Sequence, residues 1–74
     1  MNNDAIQISL GNVIRAKREA LGYSQDSFAD VIGMHRAYYS SIERGERNLT
    51  LSTLYRVAEG LGLRPGKLLD QADQ

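Results

Sequence analysis

Residues 24–45 read SQDSFADVIGMHRAYYSSIERG, and the fold turns on what this stretch becomes. Ser24 is a good helix N-cap, because its hydroxyl can accept from one of the first free amides, and Asp26 in the first turn complements the positive end of the helix dipole. Phe28, Ala29 and Ile32 mark a narrow inner face, with Ala29 small where two helices must cross closely. Gly33 follows where the chain must turn abruptly. A second helix over residues 35–44 would direct Tyr39 and Ile42 toward the first helix and the core. Two short helices joined by a glycine turn are the helix-turn-helix signature, and the matching inner faces strengthen it.

The opposite side of that second helix carries Arg36, Ala37, Ser40, Ser41 and Arg44 at i, i+1, i+4, i+5 and i+8. A forked donor, a methyl, two hydroxyls and another arginine are groups able to meet guanine edges, thymine methyls and phosphates in a major groove. In isolation such a window is more often an ordinary solvated face; the paired helix beside it reverses those odds. Tyr38 turns toward the flank of the stripe, either to touch backbone or sugar or as plain surface.

Upstream, Leu10, Ile14 and Leu21, with Val13 and Ala16 beside them, recur at helical spacing while Arg15, Lys17 and Glu19 face away. The pattern predicts a helix over residues 9–21, with Ser9 as N-cap and Gly22 as its left-handed end. Residues 1–7 are polar and uncapped and are expected to fray. Arg18 lies one turn beyond Ile14, on the inward stripe. Either it snorkels to the surface, or it meets Glu43 at the end of the second helix of the pair. Each would be costly buried alone, but a bidentate pair satisfies both.

Downstream, Thr50 is an N-cap for a helix whose Leu51, Leu54, Val57, Ala58 and Leu61 form an inward stripe ending at Gly62. In the loop before it, Arg47 and the Asn48 amide suit phosphate, and Glu46 opposes them unless it turns outward. Pro65 opens a last short helix running to Asp70, and residues 71–74 are expected to be flexible. Its leucines either close a small core or, as Leu68 with Leu63 and Pro65, contribute to a two-fold dimer seam.

Composition bounds the function class. With 74 residues the chain reads as one domain, residues 1–74, near the lower size at which a core suffices without disulfides or metals. It has no cysteine, which removes thiolate chemistry and fits a reducing interior. Neither a membrane span nor a signal peptide is apparent, so a cytoplasmic protein is expected. No acid pair, activated nucleophile, phosphate-cradling glycine loop or metal-ligand cluster suggests an enzyme, a cofactor or a small-molecule ligand. Nine basic residues balance nine acidic ones, so the strong positive charge of many nucleic-acid binders is missing. Arg36, Arg44 and Arg47 lie close in sequence, and DNA binding survives a neutral total if folding gathers them with the acids turned away. The neutral total, with Asp26, Asp30 and Glu46, keeps a second class open: an antitoxin-like protein-interaction module with weak DNA binding.

Leu21-Gly22-Tyr23-Ser24-Gln25, Phe28-Ala29, Ile32-Gly33 and Tyr39-Ser40-Ser41-Ile42-Glu43-Arg44-Gly45 resemble the lambda-repressor and Cro-like helix-turn-helix family. The likeness continues through Asn48-Leu49-Thr50, Leu54, Ala58 and Leu61-Gly62. Among its branches, the RGERNLT run at residues 44–50 and the lack of a second domain are most similar to the controller proteins of restriction-modification systems. The resemblance implies a compact, all-α, five-helix domain, usually a homodimer, that binds operator DNA as a transcriptional regulator, with RNA polymerase a further candidate partner. It places base reading on Arg36, Ala37 and Ser41, with Ser40 nearby. It also makes Gln25 a brace for phosphate and reading helix, and pairs Arg18 with Glu43. Phosphate contacts are expected from Ser24, Gln25, Tyr38, Arg44, Arg47 and Asn48. His35 departs from the family's usual Ser, Thr or Asp at the cap of the reading helix. It is a poorer cap, although a protonated histidine facing DNA can approach phosphate.

Overall fold

The computed structural model describes residues 3–73. Five helices follow one another: α1 (Asn3–Ala20), α2 (Gln25–Val31), α3 (Arg36–Glu43), α4 (Leu51–Leu61) and α5 (Pro65–Ala72). There is no strand among the described residues. The long α1 is the spine, packing on α5 and α3 and touching α4, while α2 lies against α3 and α4 against α5.

The core is built from one stripe of each helix: Leu10 and Ile14, Phe28 and Ile32, Tyr39 and Ile42, Leu54, Val57 and Leu61, then Leu68. Phe28 sits between two aromatic neighbours, its ring centroid 5.5 Å from that of Tyr23 and 5.3 Å from that of Tyr39. Tilted pairs at this spacing add about 0.5–1.5 kcal/mol each to the burial of the rings. Ala29 is buried as the small residue of α2. The turn after it depends on Gly33, whose φ of 67° lies in the left-handed region; the following amide, of Met34, then donates back to the carbonyl of Ala29 at 2.9 Å. This compact closure swings α3 across α2.

Caps agree with the local chemistry. The Ser24 hydroxyl accepts from the amide of Ser27 in a capping box, and Thr50 accepts from the amide of Thr53. His35 stands at the N-cap of α3 and makes no side-chain cap bond. Pro65 opens α5 as expected, and Gly22 and Gly62 take left-handed backbone at the ends of α1 and α4.

Several expectations are corrected. Helix α1 starts at least six residues before Ser9, which is therefore interior and not a cap. Ile6 continues the four-residue spacing of Leu10 and Ile14 and is half-buried, and Asp4 supplies the first-turn acid. Of the expected frayed start, residues 1–2 lie outside the described residues, and residues 3–7 are helical. Leu21 is 53% exposed, because the helix has already ended at Ala20, and Tyr23 packs against the core just beyond it. Leu51 is 74% exposed at the first position of α4, and Leu49, before the cap, packs against the core instead. The last helix extends through Ala72, which is buried, so of the expected tail residues 71 and 72 are helical, Asp73 is the C-cap and Gln74 lies outside the described residues.

One close approach has no counterpart in the sequence reading. Gly11 on α1 is buried against the end of α3, where an added Cβ would lie 2.5 Å from the carbonyl oxygen of Glu43 and 2.7 Å from that of Ile42. Any side chain there must push the two backbones apart.

Candidate nucleic-acid interface

The inner face of α3 is held by a buried polar hub. The Arg18 Nε donates to Glu43 Oε2 at 2.7 Å and its Nη2 to Oε1 at 3.1 Å, a forked pair whose side chains are only 8% and 3% exposed. Arg18 Nη1 also donates to the carbonyl of Tyr23 at 2.7 Å. The Tyr39 hydroxyl donates to Glu43 Oε2, and Gln25 Nε2 donates to Oε1 at 2.9 Å. The Gln25 carbonyl oxygen accepts from the Ser40 hydroxyl at 2.9 Å. No buried side-chain nitrogen or oxygen is left unpaired among the described residues. The hub therefore ties α1, α2 and the loop between them to α3 through one carboxylate.

The electrostatics follow from that geometry. Burial by itself would raise the Glu43 carboxyl, but hydrogen bonds from Arg18, Tyr39 and Gln25 outweigh it and hold the group below the usual glutamate range. Burial first, and then the hydrogen bond to Glu43, pushes the Tyr39 hydroxyl well above the ordinary tyrosine range. It thus remains a donor, and Arg18 is held charged chiefly by its hydrogen bond to Glu43.

The outer face of α3 is narrower than its helical period predicts. Arg36, Ala37 and Arg44 are exposed and, with Ser40, line one shallow concavity. The expectation that Ser40 and Ser41 stand open to a groove is corrected: they are 8% and 4% exposed. Ser40 is bound to Gln25 of α2, and Ser41 to Arg47 of the next loop. The Ser41 hydroxyl donates to the carbonyl of Tyr38 at 2.6 Å and accepts from Arg47 Nε at 2.9 Å. The Arg47 guanidinium lies over the Tyr38 ring, 5.0 Å from its centroid. Tyr38, Ser41 and Arg47 are thus one cluster on the flank.

Folding does not turn the acids away. Arg36 Nε, at the start of α3, is 3.0 Å from Asp26 Oδ1 in the first turn of α2, with side chains 64% and 71% exposed. Arg44 forms a forked pair with Glu46, both contacts 3.1 Å. Glu46 thereby holds Arg44 charged while being itself held below the ordinary glutamate range. Asn48 accepts through its side-chain oxygen from Gln7, an anchor from α1 that the expected fraying had hidden. Ser24 is exposed at the start of α2, its hydroxyl spent on the cap and on Ser27.

Leu68 is corrected as a seam residue. It is completely buried and closes the core of a single copy, whereas Leu63 and Pro65 are half-exposed. The exposed apolar residues at that end of the chain are Leu51 and Tyr55, one turn apart on α4, and Leu69 on α5.

A helix-turn-helix family model matches residues 14–68, which include all of α2, α3 and α4. The chain belongs to the helix-turn-helix family, among its lambda-repressor and Cro-like regulators. It is 39% identical over 70 residues to the control protein C.MunI from a Mycoplasma species, covering 93% of this chain and 95% of that one. The crystal structure of the restriction-modification controller protein C.AhdI from Aeromonas hydrophila matches this helix-turn-helix chain with a TM-score of 0.80 at 34% identity, over 84% of this chain and 94% of that one. The restriction-modification controller protein C.Esp1396I, solved as a tetramer in complex with its natural 35-base-pair operator, matches with a TM-score of 0.81 at 28% identity, over 92% and 90% of the two chains. The all-α, five-helix architecture expected from the sequence is the one observed, and it superposes on these controllers with TM-scores of 0.80 and 0.81.

Proposed function

We propose that this protein is a sequence-specific DNA-binding transcriptional regulator of the restriction-modification controller type, acting in the cytoplasm as a homodimer on a palindromic operator. The observation that carries the reading is the placement of Arg36 and Ala37 outward at the start of α3, on a helix that the Arg18–Glu43–Gln25 hub holds at a fixed attitude. Arg36 donates to a guanine edge, and Ala37 offers its methyl to thymine. Ser40 and Ser41 serve by holding Gln25 and Arg47 at the flanks. Tyr38, Arg47, Asn48 and Gln25 flank that pair and contact the sugar-phosphate backbone, which fixes register without reading sequence; Arg44 joins them on exchanging Glu46 for a phosphate, and Ser24 on releasing Ser27.

The second copy sits on exposed apolar residues of the last two helices, Leu51, Tyr55 and Leu69, together with the half-exposed Leu63 and Pro65. The relative C.Esp1396I, whose solved form on its operator is a tetramer, supports an assembly of copies. Two reading helices related by a two-fold axis enter successive major grooves about 34 Å apart. RNA polymerase is the further partner of this reading, since a protein seated at a promoter either blocks the enzyme or touches it. Footprints of polymerase with and without the protein separate the two cases.

Selection of bound sites from a random DNA pool, at near-physiological salt, tests the reading. Enrichment of a palindrome with half-sites about one helical turn apart is the expected result. A pool that returns no enriched sequence would overturn it and favour a module whose ligand is another protein.

A further inference from the structure

We infer that Asp26 is a specificity determinant: it holds Arg36 by Nε as a neutral pair, so that the arginine offers hydrogen bonds to a guanine edge without offering net charge to a phosphate. The inference rests on the DNA-binding reading above and adds a residue that the reading helix does not itself contain.

Three observations carry it. Arg36 Nε lies 3.0 Å from Asp26 Oδ1. The contact is made through Nε and the side chain is mostly in solvent, so the Nη1 and Nη2 end of the fork is open to a ligand. Both side chains remain mostly in solvent, 64% and 71% exposed, so the pair stands on the surface that would meet DNA and not within the fold.

The chemistry follows from what each ligand presents. Guanine O6 and N7 are neutral acceptors, and two free N–H groups meet them side by side whether or not a carboxylate lies behind the guanidinium. A phosphate is an anion. It gains from an isolated arginine chiefly through charge and counterion release, and Asp26, a unit negative charge 3.0 Å from the same guanidinium, opposes that gain. The acid therefore suppresses attachment to arbitrary sequence more than attachment to the operator. The zero formal charge of the chain fits a protein that gains selectivity by limiting unspecific attraction.

The test uses the wild type, Asp26→Asn, Asp26→Glu, Arg36→Ala and the double variant Asp26→Asn with Arg36→Ala. Each is titrated against the selected operator and a random duplex of equal length, between about 50 and 200 mM salt. Asp26→Asn is expected to steepen the salt dependence on random DNA by about 0.9, the increment for one added phosphate contact. Across that fourfold rise in salt it should lose about 3.5-fold more random-DNA affinity than the wild type. Its operator slope should stay at the wild-type value. Asp26→Glu, which keeps the charge, should behave as wild type, and the effect of Asp26→Asn should vanish once Arg36 is absent. Thermal melts showing all five proteins folded separate these effects from loss of structure. If Asp26→Asn moves both slopes equally, moves neither, or still acts without Arg36, the inference is overturned. A wild type that fails to distinguish any selected sequence from random DNA would instead bring down the DNA-binding reading, and the role of Asp26 with it.

Discussion

Among the described residues two arginine–carboxylate pairs join α3 to another helix, and they behave as opposites. Arg18 and Glu43 meet at 2.7 Å with almost no exposure, and Arg36 and Asp26 meet at 3.0 Å with most of each side chain in water. The contact distances are similar; the surroundings are not. In the interior, an arginine that loses its carboxylate is stranded, because water cannot replace the partner, and the pair becomes a fixed joint between α1 and α3. At the surface, water replaces either partner at little cost, so the same chemistry makes a contact that a ligand can redirect. On the DNA-binding reading proposed above, the first pair fixes the attitude of α3 and the second keeps its outer arginine available.

The largest effect expected from breaking this contrast is on the buried side. Glu43→Gln or Arg18→Met should lower folding stability by about 3 kcal/mol, seen as a fall in the urea midpoint, whereas Asp26→Asn should change it by well under about 1 kcal/mol. Equal shifts for the two pairs would show that burial does not separate them.

Acid titration sharpens the same contrast. In the unfolded chain Glu43 titrates near the ordinary 4.5, and in the folded protein it lies lower. Between those values the unfolded state binds more protons, so the stability that Glu43 contributes is present above about pH 4.5 and is lost as pH falls through the folded value. Urea titrations from pH 7 downward should therefore show a steeper acid loss for wild type than for Glu43→Gln.

On the exposed side the effect belongs to binding. Arg36→Ala should forfeit roughly 1–3 kcal/mol of discrimination at one base position of the operator, with little change in the urea midpoint. A uniform loss across all sequences would assign Arg36 to phosphate and not to a base.

The smallest change tests the start of α3, between the two pairs. His35 makes no cap bond, so His35→Ser should add about 1 kcal/mol of stability by supplying an acceptor for a free amide of the first turn. An unchanged melting temperature would show that the first turn already satisfies its amides with water.

The sequence discloses those parts of the fold that depend on spacing within one element. Ser24 and Thr50 as caps, Phe28, Ala29 and Ile32 as the inner face of α2, and the turn at Gly33 all follow from local rules. Arg18 with Glu43 was legible across 25 positions of chain, because an inward arginine demands an acid and the end of α3 offers one. What escaped are matters of neighbours. The helical period sets the side from which Ser40 and Ser41 leave α3, yet only the assembled fold bonds Gln25 and Arg47 to them. Polar residues hid the first turns of α1 although Ile6 kept the spacing of Leu10 and Ile14. Leu68 and Leu69 are adjacent and chemically alike, and only packing against the rest of the core decides that the first is buried and the second is 45% exposed.

Gly11 places main chain directly on main chain, where α1 meets the last carbonyls of α3. The pitch at which α3 is presented is therefore gauged by peptide units, which have no rotamers to change. Replacements on the solvent side can accumulate without tipping the helix, so descendants of such a protein can acquire a new recognition word while keeping an old grip.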